Sequence, residues 1–273
     1  MDYFDAVVLG IVEGLTEFLP VSSTGHLTIA EKLLGLEVDA PEVTAYTAVI
    51  QVGAIAAVLV YFARDIARIA AAWGRGLVKP EHRGDYDHRM GWYIIVGSIP
   101  IGIVGFAAQG LITGPLRSLW VVAAALVLWS AVMLYAERRA PQERGEGEVT
   151  LADAVVMGLV QCIALVPGVS RSGATISAGL LRGLDRVAAT RLAFYLGVPS
   201  LTAAGIYQLK DVGGIDVGVT IVGTLVSFLV AYASIAWLLR FVAGHSIGAF
   251  VPYRVVLGLV LFGVLGTGVM SPT

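Results

Sequence analysis

The chain has 273 residues, 57% of them hydrophobic and only 14% charged, with a formal net charge of -2 and a mean hydropathy of +0.83. A soluble domain carries about 25% charged residues, so this composition excludes a soluble globular protein and reads as a polytopic membrane protein. Neither a basic footprint nor an acidic tail points to nucleic acid, and the single Cys162 excludes an internal disulfide and offers no metal-ligand spacing.

The start, Met-Asp-Tyr-Phe-Asp, is acidic where a signal peptide is basic, so the first apolar segment is expected to be retained. Residues 4–19 and 23–34 are each too short to cross about 30 Å of hydrocarbon. Pro20 and Gly25 separate them, which predicts a re-entrant helical hairpin with Ser22 as a fresh N-cap. Residues 43–63 are long enough to span, and an amphipathic continuation runs to about Leu77. A polar loop through Arg89 follows. Spans are predicted at about 91–109, with Pro100 as a kink, and at 118–136, and residues 137–150 form a charged linker.

Residues 151–166 are again short and apolar. A break at Pro167-Gly168 leads to a second short helix ending near Leu181. Phe18-Leu-Pro-Val-Ser-Ser-Thr-Gly25 and Leu165-Val-Pro-Gly-Val-Ser-Arg-Ser-Gly173 match after a one-residue insertion at Gly168, so the first hairpin is repeated. Three spans follow at about 187–207, 217–239 and 251–269. The expected fold is an all-α polytopic membrane protein in one domain, 1–273. Repeat one is about 1–136 and repeat two 151–273, each a hairpin plus three transmembrane helices. An odd number of crossings per half inverts the second half.

Basic residues set the orientation. Arg64, Arg68, Arg75, Lys79, Arg83 and Arg89, with Arg138, Arg139, Arg144 and Arg240, lie on one side, against mainly Lys32, Arg117 and Lys210 on the other. The richer side is expected to be cytoplasmic. The first hairpin then opens outward, the second enters from the cytoplasm, and the two tips meet inside the membrane.

Polar residues concentrate at those tips. Glu13 and Glu17, four apart, project from one helix face, and Ser22, Ser23, Thr24 and His26 follow within an apolar run. Ionisable groups at such depth mark a functional site by default; the bland alternative is a solvated helix end. At the second tip, Gly168-Val-Ser170-Arg171-Ser172-Gly173 supplies backbone N–H groups, hydroxyls and a guanidinium at a helix N-terminus, a combination suited to phosphate. Thr175 is one turn further on. Arg171 is the only basic residue this reading places in the apolar body, and it needs an anionic partner; a structural pair with Glu13 or Glu17 is the alternative. Ser170 and Ser172 are equally readable as N-caps, and Thr175 as helix packing. Two carboxylates facing an anion-binding tip suit a divalent cation or a general base, and His26 an acid, base or nucleophile near neutral pH. His82, His88 and His245 fall in polar loops and receive no role.

The segments Glu-Gly-Leu-Thr-Glu-Phe-Leu-Pro-Val-Ser-Ser-Thr-Gly-His (13–26) and Pro-Gly-Val-Ser-Arg-Ser-Gly-Ala-Thr (167–175) resemble the signatures of the undecaprenyl-diphosphate phosphatase family, and the resemblance extends through Gln51-Val-Gly53 to the order of the spans. It implies a membrane phosphatase that releases the terminal phosphate of undecaprenyl diphosphate and regenerates the monophosphate carrier for bacterial cell-wall synthesis. It also implies bacitracin resistance on overexpression, a divalent cation (Mg or Ca) and a site open to the periplasm. The family's acidic motif falls on Glu13 and Glu17, its serine and histidine on Ser23 and His26, and its phosphate-binding motif on Ser170, Arg171, Ser172 and Thr175. We count Ser22 and Gly173 with the phosphate-binding set.

The expected partners are the polyprenyl diphosphate lipid and the membrane. A homodimer is compatible with the sequence, which leaves oligomeric state open, as it leaves open whether Ser23, His26 or water is the nucleophile. Phe18, Phe194 and Tyr195 are either packing residues, the preferred reading, or the lining of a lateral gap for the lipid tail. The competing function is an inverted-repeat transporter or flippase for a lipid phosphate or another anion, and a third is a non-catalytic scaffold. Neither needs two carboxylates, a histidine and hydroxyls beside an anion-binding tip.

Overall fold

The computed structural model describes residues 1–38, 40–112, 114–209 and 216–272; Lys210, counted above for orientation, lies outside the described residues. The helices, in chain order, are α1 (Tyr3–Thr16), α2 (Ser23–Leu33), α3 (Pro41–Tyr61), α4 (Ala63–Val78), α5 (Tyr86–Ala107), the single turn α6 (Gln109–Ile112), α7 (Leu119–Arg139), α8 (Leu151–Gln161), α9 (Arg171–Leu181), α10 (Arg186–Leu209), α11 (Val217–Val242) and α12 (Val251–Gly266). Among the described residues six segments are long and apolar enough to cross a membrane: α3, α5, α7, α10, α11, and α12 with the 3-10 turn before it. They are the six spans expected.

Boundaries moved where local signals compete. The first short helix ends at Thr16 rather than near residue 19, because the turn made ahead of Pro20 takes up Glu17 to Val21. The predicted polar loop through Arg89 is shorter: α5 starts at Tyr86, so His88 is a buried helix residue whose Nδ1 donates to the Trp73 carbonyl at 3.2 Å. His82, as expected, lies outside the long helices, beside Asp85.

Packing is crosswise. The short helix α1 lies on α11, and the short helix α8 lies on α5; α3 packs on α10 and on α11, and α7 packs on α12. Small residues permit this closeness, since apolar side chains gain nothing from one another that lipid does not also offer. A Cβ on Gly158 of α8 would come 1.9 Å from the Gly97 carbonyl of α5, and one on Gly53 of α3 would come 2.3 Å from the Thr224 carbonyl of α11. Outward faces carry Ile103, Phe106, Leu128, Leu229 and Val260, all exposed, as lipid contact requires.

One end of the bundle is tied by ion pairs. Asp153, fully buried at the start of α8, receives Arg144 from the linker and Arg182 from the end of α9. Arg191 bridges Asp65 (2.8 Å) and Glu146 (2.7 Å), and Arg186 meets Glu137. Arg182, Arg186 and Arg191 therefore join the basic end identified from the loops. Phe18, Phe194 and Tyr195 are core residues, with Phe18 and Phe194 edge to face at 5.5 Å. That is the packing expected of them, and it leaves none free to line a lateral gap.

Candidate active site

Each short-helix pair is interrupted by a proline that cannot donate to the preceding turn, and each second helix begins one residue after a serine at positive φ: Ser22 at 80° and Ser170 at 78°. For a residue with a Cβ this region is sparsely populated, and such conformations persist only where surroundings hold them. Here the two breaks hold each other. Ser22 does not cap its own helix, contrary to expectation; its Oγ accepts the Gly168 N–H at 3.0 Å. Ser172 donates to the Leu19 carbonyl at 2.9 Å. Only Ser170 is a helix cap, accepting the Gly173 N–H at 3.2 Å.

The third element of this junction was missed in the sequence. Arg171 is not the only basic residue in the apolar body: Arg254 of α12 is fully buried. Its guanidinium donates to the carbonyls of Pro20 (3.0 Å), Gly168 (2.9 Å) and Val169 (3.1 Å) and to Ser130 Oγ (3.2 Å). One cation thus gathers the carbonyls that both breaks leave without helical partners. A signal did exist, since Arg254 is the one charged residue between Val251 and Gly266.

Beside this junction a chain of hydrogen bonds joins the two hairpins. Glu17 Oε1 lies 3.2 Å from Arg171 Nη2, and Glu17 Oε2 accepts the Ser23 hydroxyl at 2.6 Å. Glu17 is 7% exposed and the Arg171 side chain 11%, so the pair sits in a site largely closed to water. Arg171 keeps Nε without a partner. Its Nη1 occupies space that only glycine leaves, because a Cβ on Gly197 of α10 would lie 2.1 Å from it. Glu13, one turn below Glu17, is 1% exposed, and its Oε1 has no hydrogen-bond partner. A buried carboxylate oxygen left so is costly enough to call for a proton or a cation.

His26 is not bonded to Ser23. Its Nδ1 lies 2.7 Å from the Ser22 carbonyl and its Nε2 2.6 Å from the Tyr253 hydroxyl. Thr175 is fully buried and donates to the Arg171 carbonyl at 2.8 Å, and the Gly173 N–H is taken by Ser170. Of the residues expected to bind phosphate, Ser22, Ser170, Ser172, Gly173 and Thr175 thus bond within the protein, and Arg171 retains a free donor. Among the described residues no three His, Cys, Asp or Glu side chains come together as a metal cluster.

Comparison with known proteins identifies the family. The chain is 59% identical over 269 residues to undecaprenyl-diphosphatase 1 of Streptomyces avermitilis, covering 97% of each chain. It is 57% identical over 273 residues to undecaprenyl-diphosphatase of Acidothermus cellulolyticus, covering 99% of each. With undecaprenyl-diphosphatase 3 of Frankia casuarinae it shares 56% identity over 278 residues and the whole of both chains. The family model described as bacitracin resistance protein BacA matches residues 6–260, and the chain belongs to that family.

Proposed function

We propose that this multi-pass membrane protein hydrolyses undecaprenyl diphosphate to undecaprenyl monophosphate and inorganic phosphate, recycling the lipid carrier of bacterial cell-wall synthesis. The observation that carries the reading is Glu17, whose two oxygens hold the Ser23 hydroxyl and the Arg171 guanidinium at once. A hydroxyl donating to a buried carboxylate at 2.6 Å is the geometry of a nucleophile with its base. A guanidinium that keeps one buried donor, Nε, without a partner is suited to clamp a phosphate.

In this reading the terminal phosphate takes the fork of Arg171, which offsets charge on the transferring group. Ser23 Oγ attacks the terminal phosphorus while its proton passes to Glu17. The bond from phosphorus to the bridging oxygen breaks, and the lipid monophosphate leaves with that proton. Water then attacks the seryl phosphate, activated by His26, which is one turn along α2 from Ser23. As the seryl P–O bond breaks, inorganic phosphate departs and Ser23 takes up the proton that His26 removed from the water.

Glu13 and Glu17 suit a hard divalent cation, Mg or Ca: Glu13 has a buried oxygen with no protein partner, and further ligands would be phosphate and water oxygens. Such an ion, when bound, neutralises phosphate charge. We place the site on the periplasmic side, with residues 1–136 and 151–273 as inverted halves joined by the linker; the crosswise packing and the ion-paired basic end support this. A carrier rocking about a midplane site must part its tips, whereas here Ser22, Ser172 and Arg254 tie them together.

The test is phosphate release from a long polyprenyl diphosphate by purified protein in detergent, with and without chelator. Glu17→Gln is expected to lower kcat on the order of a thousandfold at saturating cation. Glu13→Gln is expected mainly to raise the cation concentration required. No phosphate release by the intact protein refutes the phosphatase. Full activity of both variants in chelator removes the carboxylates from it. Thiol labelling in a Cys162→Ser background, outside at Pro115→Cys and not at Gln142→Cys, tests the orientation.

A further inference from the structure

The residue before Arg254, Tyr253 of α12, meets His26 of α2. A backbone carbonyl only accepts, so the 2.7 Å contact of His26 Nδ1 with Ser22 O puts the imidazole proton on Nδ1. Nε2 then presents its lone pair, and the Tyr253 hydroxyl, 2.6 Å away and 227 residues distant in sequence, donates to it. The rings stack at 5.6 Å with an interplanar angle of 18°, so both the plane of the imidazole and its free nitrogen are fixed by one side chain. Tyr253 itself stands on a rigid support. The next residue is clamped by four hydrogen bonds to both helix breaks and Ser130, while the phenol remains half exposed. A half-exposed group that orients a reacting side chain from a fixed element is suited to yield its hydrogen bond to an incoming water.

We propose that Tyr253 is a positioning residue for His26: it holds the imidazole plane and the Nε2 lone pair in place and gives up that nitrogen to the water which attacks the phosphorylated serine. This rests on the part assigned to His26 above. Tyr253→Phe keeps the stacked ring and removes only the hydroxyl. Its expected effect is a fall in kcat of about tenfold, with KM within about twofold and an unchanged melting temperature in detergent. In histidine-selective 15N spectra the Nε2 resonance of His26, assigned by its loss in His26→Gln, moves. Because the tyrosine acts through the histidine, Tyr253→Phe adds nothing to the residual rate of His26→Gln.

An unmoved Nε2 resonance, a kcat equal to the parent, or an additive loss in the double variant overturns the inference. Where His26→Gln is impaired and Tyr253→Phe is not, this inference alone falls. Where His26→Gln is fully active, the histidine step of the proposed reaction falls and the tyrosine's role with it.

Discussion

Ser22 and Ser170 occupy matching places in the two hairpins, each one residue before a helix and each at nearly the same positive φ, yet the residues after them differ in kind. The first break continues with Ser23 and His26, and is preceded by Glu17. The second has Arg171 where the first has Ser23 and Ala174 where the first has His26. The backbone break is duplicated and the chemistry is divided. Two copies of the acidic tip would set carboxylates against a polyanionic substrate, and two copies of the arginine tip would lack a base. In the proposed reaction it is the unlike pair that supplies both a proton acceptor, Glu17, and an anion clamp, Arg171.

The largest effect should come from removing what holds the unlike tips together. Arg254→Met leaves three break carbonyls and Ser130 without their donor, and a loss of about 3 kcal/mol of stability is expected, read as a lower melting temperature in detergent. An unchanged melting temperature would mean that the breaks associate without it. Arg171→Lys keeps the charge of the second tip and loses its planar fork, so kcat/KM should fall about a hundredfold with the melting temperature little changed. Parental turnover would leave the second tip without its assigned task. Gly197→Ala disturbs only the second tip, by pressing a methyl group against Arg171 Nη1 while the Ser23–Glu17 bond stays intact. About a tenfold rise in KM, larger than the change in kcat, is the expected result, and a loss confined to kcat would contradict it.

The smallest effect tests the shared backbone itself. Ser22→Gly loses the bond to Gly168 but adopts positive φ without steric cost, whereas Ser22→Ala loses the bond and keeps the strain. The alanine variant should be the less stable by about 1 kcal/mol in thermal unfolding. The same order is expected at Ser170→Gly and Ser170→Ala, and a reversal at one serine only would show that the two breaks are not equivalent.

Hydropathy located the six spans, because crossing lipid demands long apolar runs, and Pro20 and Pro167 between short apolar segments located the two short helix pairs, whereas Pro100 and Pro199 stand inside continuous helices. Glu13, Glu17, Ser23, His26 and Arg171 were legible for a similar reason: polar groups at membrane depth are costly and therefore conspicuous. Tertiary structure decided which of them touch. Glu17 meets Arg171 across 154 residues, and Ser22 serves the opposite break instead of its own helix. Arg254 and Tyr253 join a site whose other members lie near residues 20 and 170. The acceptors of Arg254 are mostly backbone carbonyls, which every residue carries, so no side-chain pattern could announce the contact. Gly197 was equally silent, since what it contributes is space, and space between helices exists only once they are packed.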